Sequence, residues 1–306
     1  MNQPKHAQAA QRLSGRMGDF LTLTKFELTG MSVLTALCAF YVSESPVEIP
    51  KLLWTALGTW LLGSTAAVFN QLRERQFDAV MKRTERRPLP MGRISPSSAA
   101  MIGIILTLAG SIVLWRFAGP LAMVLGVATV GIYIIVYTPL KRKTPLATAV
   151  GAVPGAMPPL IGWAAARGDL ELGAWLLFGL VYLWQLPHFL AIAWMYQRDY
   201  MRAGFKVLSV SDERGRQTGL VVLLATAALV PESLALYFLG YAGTVYLVGA
   251  MVLGGLFLVE AWRFYMAVGG GDDTWSGRAG GVSRRLFFTS LIYLPIVIAV
   301  LAIDKA

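Results

Sequence analysis

Apolar residues gather in nine runs along the chain, at about 27–43, 51–70, 97–116, 120–138, 146–166, 172–194, 218–236, 242–264 and 285–303. Most approach the roughly 20 residues that an α-helix needs to cross a bilayer. The pattern predicts an all-α, polytopic membrane protein with nine transmembrane helices. The stretch 219–262 is nearly continuous, and it divides at a turn near Gly240–Gly243, with Pro231 and Glu232 disturbing the end of the seventh run. Ahead of the first run, Leu13, Met17, Phe20 and Leu21 share one helical face opposite Arg12 and Arg16. That face predicts a short amphipathic helix lying on the membrane surface. The expected organisation is an amphipathic segment over residues 1–26 and a single transmembrane domain over 27–306.

Composition strengthens this reading. Of 306 residues, 56% are hydrophobic and 14% are charged, with a mean hydropathy of +0.59. A soluble domain carries about 25% charged residues. Residues 1–25 contain Lys5, Arg12, Arg16 and Lys25 but no long apolar core, so no cleavable signal peptide is expected. Cys38 is the only cysteine, which excludes an intramolecular disulfide.

The net charge of +10 is not spread evenly. The tail and the breaks after runs two, four, six and eight hold 23 Lys and Arg residues, and the other breaks hold only Lys51, Arg116, Arg167 and Lys305. Cations confined to alternate breaks are a topology signal, so the partner is the lipid bilayer and no nucleic acid is expected. The bias puts the N-terminus in the cytoplasm and the C-terminus outside. An even number of spans would break the alternation. The long inner breaks are rich in special residues, so the active site is expected toward the cytoplasm of a multi-pass protein in the cell inner membrane.

Within that frame, residues 70–96, NQLRERQFDAVMKRTERRPLPMGRISP, stand out. Asn70, Glu74 and Asp78 fall four residues apart. Each step turns a helix by about 40°, so the three side chains share an arc of about 80°. Two carboxylates and an amide form an oxygen-rich face suited to Mg²⁺. Arg73, Arg75, Lys82, Arg83, Arg86 and Arg87 crowd the same region and suit phosphate oxygens. A plain inner loop would account for single cations. It does not account for carboxylates that continue an apolar helix, where they are costly.

Other breaks add candidates. Asp199 follows the sixth run among Arg198, Arg202 and Lys206, and could face the first acidic group across a diphosphate and Mg²⁺. Tyr137, Lys141, Arg142 and Lys143 end the fourth run, where Lys141 or Arg142 could meet a departing diphosphate. The fifth run carries Gly151 and Gly155, which allow close packing, and Pro154, Pro158 and Pro159, which are expected to bend or open the helix beside a cavity. His188 lies inside the sixth run, as an iron ligand or as a packing histidine. Trp163, Trp184, Phe189 and Trp194 could shield a carbocation with their π faces, or serve as packing.

These residues resemble a known family. Asn70-x3-Glu74-x3-Asp78, followed by Met81-Lys82-Arg83-Thr84 and Arg87-Pro88-Leu89, is similar to the first acidic motif of the UbiA-type intramembrane prenyltransferases. YTPLKR at 137–142, VGAVPGAMPPLIGW at 150–163, WQLPHF at 184–189 and DYMRAGFKVLSV at 199–210 resemble its haem-farnesylating branch. Glu74 and Ala203 stand where other branches commonly carry Asp. The resemblance implies transfer of farnesyl from farnesyl diphosphate to the 2-vinyl group of haem B with addition of water, giving haem O and diphosphate. It implies Mg²⁺ held by Asn70, Glu74, Asp78 and Asp199. Lys141, Arg142 and nearby arginines would neutralise the leaving group. Arg73, Lys82, Arg83, Arg87, Tyr137, Arg198, Arg202, Lys206, His188, Trp163 and Trp184 would bind substrate. A haem A synthase or a terminal-oxidase assembly factor would be the protein partner. The alternatives are prenylation of a quinone precursor or chlorophyllide, and transport of an anionic lipid.

Overall fold

The computed structural model of the chain describes residues 5–43, 46–212, 214–269 and 278–306. Among them, nine helices are long and apolar enough to cross a membrane: Phe26–Ser43, Ile49–Asp78, Pro96–Ala118, Pro120–Leu140, Ala147–Arg167, Leu172–Met195, Arg216–Phe238, Thr244–Val268 and Ala279–Ile303. These are spans one to nine. The described residues contain no strand, only an isolated bridge between Ala242 and Lys305. The turn at Gly240, with φ +80°, separates spans seven and eight as the sequence predicts.

Span two differs most usefully from its apolar pattern. It does not stop near residue 70 but runs on as one 30-residue helix to Asp78. Gln, Arg and Glu are good helix formers, so polarity alone does not end it. Thirty residues cover about 45 Å, against about 30 Å of hydrocarbon. The extra turns lift Asn70, Glu74 and Asp78 out of the lipid core while keeping them on one rigid helix. After them, residues 79–95 fold back in tight turns. Ser95 then caps span three by accepting from the Ser98 amide at 3.1 Å, with Pro96 at the first helical position.

Span five answers half of an expectation. Pro154, Pro158 and Pro159 do not open it, and the helix is unbroken from Ala147 to Arg167. A proline removes one helical N–H and crowds the preceding turn, but here neighbours hold the helix on every side. Span five is the most buried of the nine, at 78%. Its glycines serve close contact. A Cβ at Gly162 would overlap the Ala36 carbonyl of span one, one at Gly155 would meet the Gln185 side chain, and one at Gly151 would meet the Tyr137 ring.

The N-terminal helix, Lys5–Thr24, is fastened to span two as well as amphipathic. Gln71 Nε2 donates to the carbonyls of Thr22 (3.2 Å) and Leu23 (2.7 Å). Arg93 pairs with Asp19 at 2.9 Å. Leu23 and Thr24 are fully buried, whereas Met17 and Leu21 are exposed. Leu13 and Arg12, on which the predicted face also rests, lie outside the described side chains.

Candidate active site

The last turns of span two bring the three predicted oxygen donors onto one buried face. Asn70, Glu74 and Asp78 are 2%, 6% and 0% exposed, so none is an ordinary surface group. Asn70 Nδ2 donates to Glu74 Oε2 at 2.9 Å. Lys141 Nζ then donates both to Asn70 Oδ1 (3.2 Å) and to Glu74 Oε1 (2.9 Å). The Thr138 hydroxyl also reaches Asn70 Oδ1, at 3.2 Å. One turn further, Arg87 donates to Asp78 Oδ2 at 2.8 Å, and the Thr84 hydroxyl donates to the Asp78 carbonyl at 2.9 Å. Each acid of the motif is therefore matched to one cation from a different loop. Buried carboxylates demand such pairing.

The end of span four shapes the other wall. Residues Ile132–Tyr137 form a π-helical turn, a feature frequent at functional sites. The Tyr133 and Tyr137 rings lie 5.1 Å apart, and the Lys141 ammonium sits 5.9 Å and 4.4 Å from their centroids. Burial works against the Lys141 charge, but Tyr137, Glu74 and Tyr133 outweigh it and hold the pKa above the usual lysine range. Arg73 donates to the Ile134 carbonyl at 3.0 Å and ties span two to this turn. The Arg142 guanidinium lies 4.3 Å from the Phe77 ring centroid.

The segment after span six closes over the same end. Asp199 lies on a short helix, Gln197–Arg202, and is buried. Its carboxylate is taken by Arg202, three residues on. The Arg83 guanidinium donates to Tyr200 Oη at 3.4 Å and lies 5.6 Å from the Tyr196 ring centroid. Phe77 meets Phe205 at 6.0 Å, and the Lys206 amide donates to the Lys141 carbonyl at 2.8 Å. The two acidic segments thus share one end of the bundle. Among the described residues no three His, Cys, Asp or Glu side chains form a ready metal cluster, so Asp199 is not joined to Glu74 and Asp78 in one acidic group. Lys82, Arg198 and Lys206 are exposed on this end.

A hard cation nonetheless suits the span-two face. Asp78 Oδ1 is buried with no hydrogen-bond partner, an oxygen that a divalent metal would satisfy. Glu74 and Asn70 lie one and two turns back on the same helix, bonded to Lys141, which a metal would have to displace.

Three sequence candidates lie away from this constellation. Trp163 packs at the opposite end of the bundle, 5.8 Å from the Tyr241 ring and against Gly173. His188 Nδ1 is 2.8 Å from Ser290 Oγ, and its ring lies 5.2 Å from Trp184 and 5.1 Å from Phe287. Trp184 Nε1 donates to the Ser290 carbonyl at 2.7 Å. His188 and Trp184 therefore join span six to span nine. Conversely, Tyr133 and Thr138 pack into this constellation and were not singled out from the sequence. Tyr133 stands one turn before Tyr137, which was the available signal. Thr138 carried none.

Comparison with known proteins agrees with this geometry. Residues 31–277 match the UbiA prenyltransferase family. A protein of Solibacter usitatus named protoheme IX farnesyltransferase is 38% identical over 94% of this chain and 99% of its own length. One of Salinibacter ruber with the same name is 39% identical, over 94% and 98%. Among solved structures, one described in work on digeranylgeranylglyceryl phosphate synthase superposes with a TM-score of 0.75 at 16% identity, covering 95% of this chain and 98% of that one. A UbiA homologue from Archaeoglobus fulgidus bound to DMAPP and Mg²⁺ gives 0.64 at 12% identity, covering 93% and 99%.

Proposed function

The chain belongs to the UbiA prenyltransferase family, and on that premise we propose that it transfers farnesyl from farnesyl diphosphate to the 2-vinyl group of haem B, giving haem O and diphosphate. Relatives of this name match it over nearly their whole length. The observation that carries the reading is the buried row Asn70–Glu74–Asp78 with Lys141 and Arg87 bonded to its acids.

The allylic C–O bond of farnesyl diphosphate breaks and diphosphate departs with the bonding electron pair. The farnesyl carbon bonds the terminal vinyl carbon of haem B. The positive charge left beside the macrocycle is quenched by water, which then loses a proton. Negative charge develops on the leaving oxygens, and preorganised cations aimed there lower the barrier. Lys141 and Arg87 would fill this role by turning from their carboxylate partners to phosphate oxygens. Tyr133 and Tyr137 present their π faces to the Lys141 ammonium. Arg142, Arg83, Arg73, Arg202, Lys82, Arg198 and Lys206 supply further cations on this end, for diphosphate or haem propionates. Asn70, Glu74 and Asp78 would hold Mg²⁺, and Asp199, which Arg202 pairs, would join them only on leaving that partner. When bound, the ion supplies positive charge to the leaving group.

The charge asymmetry supports an active site on the cytoplasmic side of the inner membrane. A haem A synthase or terminal-oxidase assembly factor would receive the product there. The test is mass analysis of haem extracted after incubation with haem B and farnesyl diphosphate. A farnesyl-plus-hydroxyl adduct is expected. Product only from 4-hydroxybenzoate and a polyprenyl diphosphate would overturn the proposed acceptor.

A further inference from the structure

Gln185 lies well inside span six and is 2% exposed. A side-chain amide at membrane depth is costly unless its polar atoms are satisfied. Here one half of it is. Nε2 donates to the Ala152 carbonyl of span five at 2.8 Å. Oε1 rests instead against Gly155, where a Cβ would lie 2.2 Å from it. Among the described residues nothing donates a hydrogen bond to Oε1.

The same turn of span five carries further acceptors without donors. Proline has no amide hydrogen, so Pro158 and Pro159 leave the Pro154 and Gly155 carbonyls without their helical partners. Three carbonyl oxygens thus belong to one level of the contact between spans five and six. That level adjoins the acidic site. Gly151, one turn nearer the start of span five, packs on the Tyr137 ring, and the Lys141 ammonium sits 4.4 Å from the same ring. Gln185 therefore lies about 6 Å deeper in the membrane than the Tyr137 contact. A farnesyl carbon leaving its diphosphate at Lys141 meets the vinyl group near this depth.

The reaction needs one water at such a point. A water that donates both hydrogens to carbonyl oxygens keeps its lone pairs free as a nucleophile. Acceptors without donors also favour the positive charge that the water quenches.

The geometry points to Gln185 as the residue that holds the water added to the substrate, with its Oε1 and the Pro154 and Gly155 carbonyls accepting the hydrogens. The water oxygen bonds the carbocation left by alkylation, and the released proton passes to diphosphate, the base set free in the first step. Without a held water the cation loses a proton from the neighbouring carbon, giving an alkene lighter than haem O by one water. The proposal rests on the farnesyl-transfer reading above.

Full-length protein in proteoliposomes is incubated with haem B and farnesyl diphosphate, and the extracted haem is analysed by mass. Gln185→Leu is expected to lower the ratio of hydroxylated to dehydrated product by about tenfold. Gln185→Glu, which keeps an acceptor, should hold the wild-type ratio, and a shift there as large as in Gln185→Leu overturns the role of Oε1. An unchanged ratio in Gln185→Leu overturns the proposal, because a residue that only joins spans five and six lowers both products in step. Should Gln185→Leu make no farnesylated haem, Gly155→Ala decides, since its Cβ displaces Oε1. The same shift there upholds the proposal, and its absence overturns it. Wild-type protein that makes no haem O fails the acceptor reading and this proposal together, whereas wild-type haem O with an unshifted ratio in the variants fails this proposal alone.

Discussion

Lys141 makes two charge-assisted bonds from a site where an isolated ammonium would be costly. Removing it strips the leaving group of a cation and leaves Glu74 buried with only Asn70. Lys141→Met is expected to lower kcat/KM for farnesyl diphosphate by about 10²–10³-fold, with Lys141→Arg retaining part of the activity. Because its pKa is raised, Lys141 keeps its proton until the pH climbs past the usual lysine range. It therefore contributes no limb to a rate profile between about pH 6 and 9. The Lys141→Met deficit should be constant across that window, and a deficit that vanished toward high pH would contradict the assignment. Asp78 makes a complementary case. Asp78→Asn keeps shape and volume, and the Thr84 bond goes to the backbone carbonyl, which survives. The substitution removes the charge facing Arg87 and the unpartnered Oδ1 suited to metal. Turnover is expected to fall at least about 10²-fold while the elution profile in detergent is unchanged. Near-normal turnover would rule out a metal at this face.

The elements hold these residues in place through close helix contacts, and Gly162 is the sharpest of them. Its missing Cβ is occupied by the Ala36 backbone carbonyl, which cannot rotate aside as a side chain can. Gly162→Ala must push spans one and five apart and is expected to cost about 1–3 kcal/mol, seen as a lower melting temperature in detergent. Gly255→Ala, on an open face of span eight, should stay within about 0.5 kcal/mol. Gly151 and Gly155 read correctly from sequence as packing residues, and the nine apolar runs located every span. Both signals are local, written in composition along one helix. The acidic face of span two was legible for the same reason, because a four-residue spacing on one helix fixes a shared direction. The prolines of span five left bending and opening both possible, because whether a proline opens a helix depends on what surrounds it. Thr138 and the partnership of Arg87 with Asp78 likewise arise where separate segments meet.

At the scale of the molecule, antiparallel spans sort the chain into two unlike ends. The segments after spans two, four and six meet at one end, through the Lys141–Glu74 pair, the Arg83–Tyr200 contact and the bond between Lys206 and Lys141. The short turn after span five, with exposed Asp169, lies at the other. Positive-inside bias predicts that the first end faces the cytoplasm. The two substrates agree with that arrangement, since each has a charged portion and a large apolar body that partitions into lipid. Direct labelling can test the orientation with little background, because the single native thiol, Cys38, is buried at 6% exposure. Lys82→Cys and Asp169→Cys each place an accessible thiol on one end, and neither residue makes a described ion pair. A membrane-impermeant maleimide should label Lys82→Cys only in inverted vesicles and Asp169→Cys only in spheroplasts. The reverse pattern would put the diphosphate site on the outer face, where the positive-inside rule could not hold for 23 cations. Labelling of both from one side would break the count of three spans that separate them, and with it the alternation on which the nine-span topology rests.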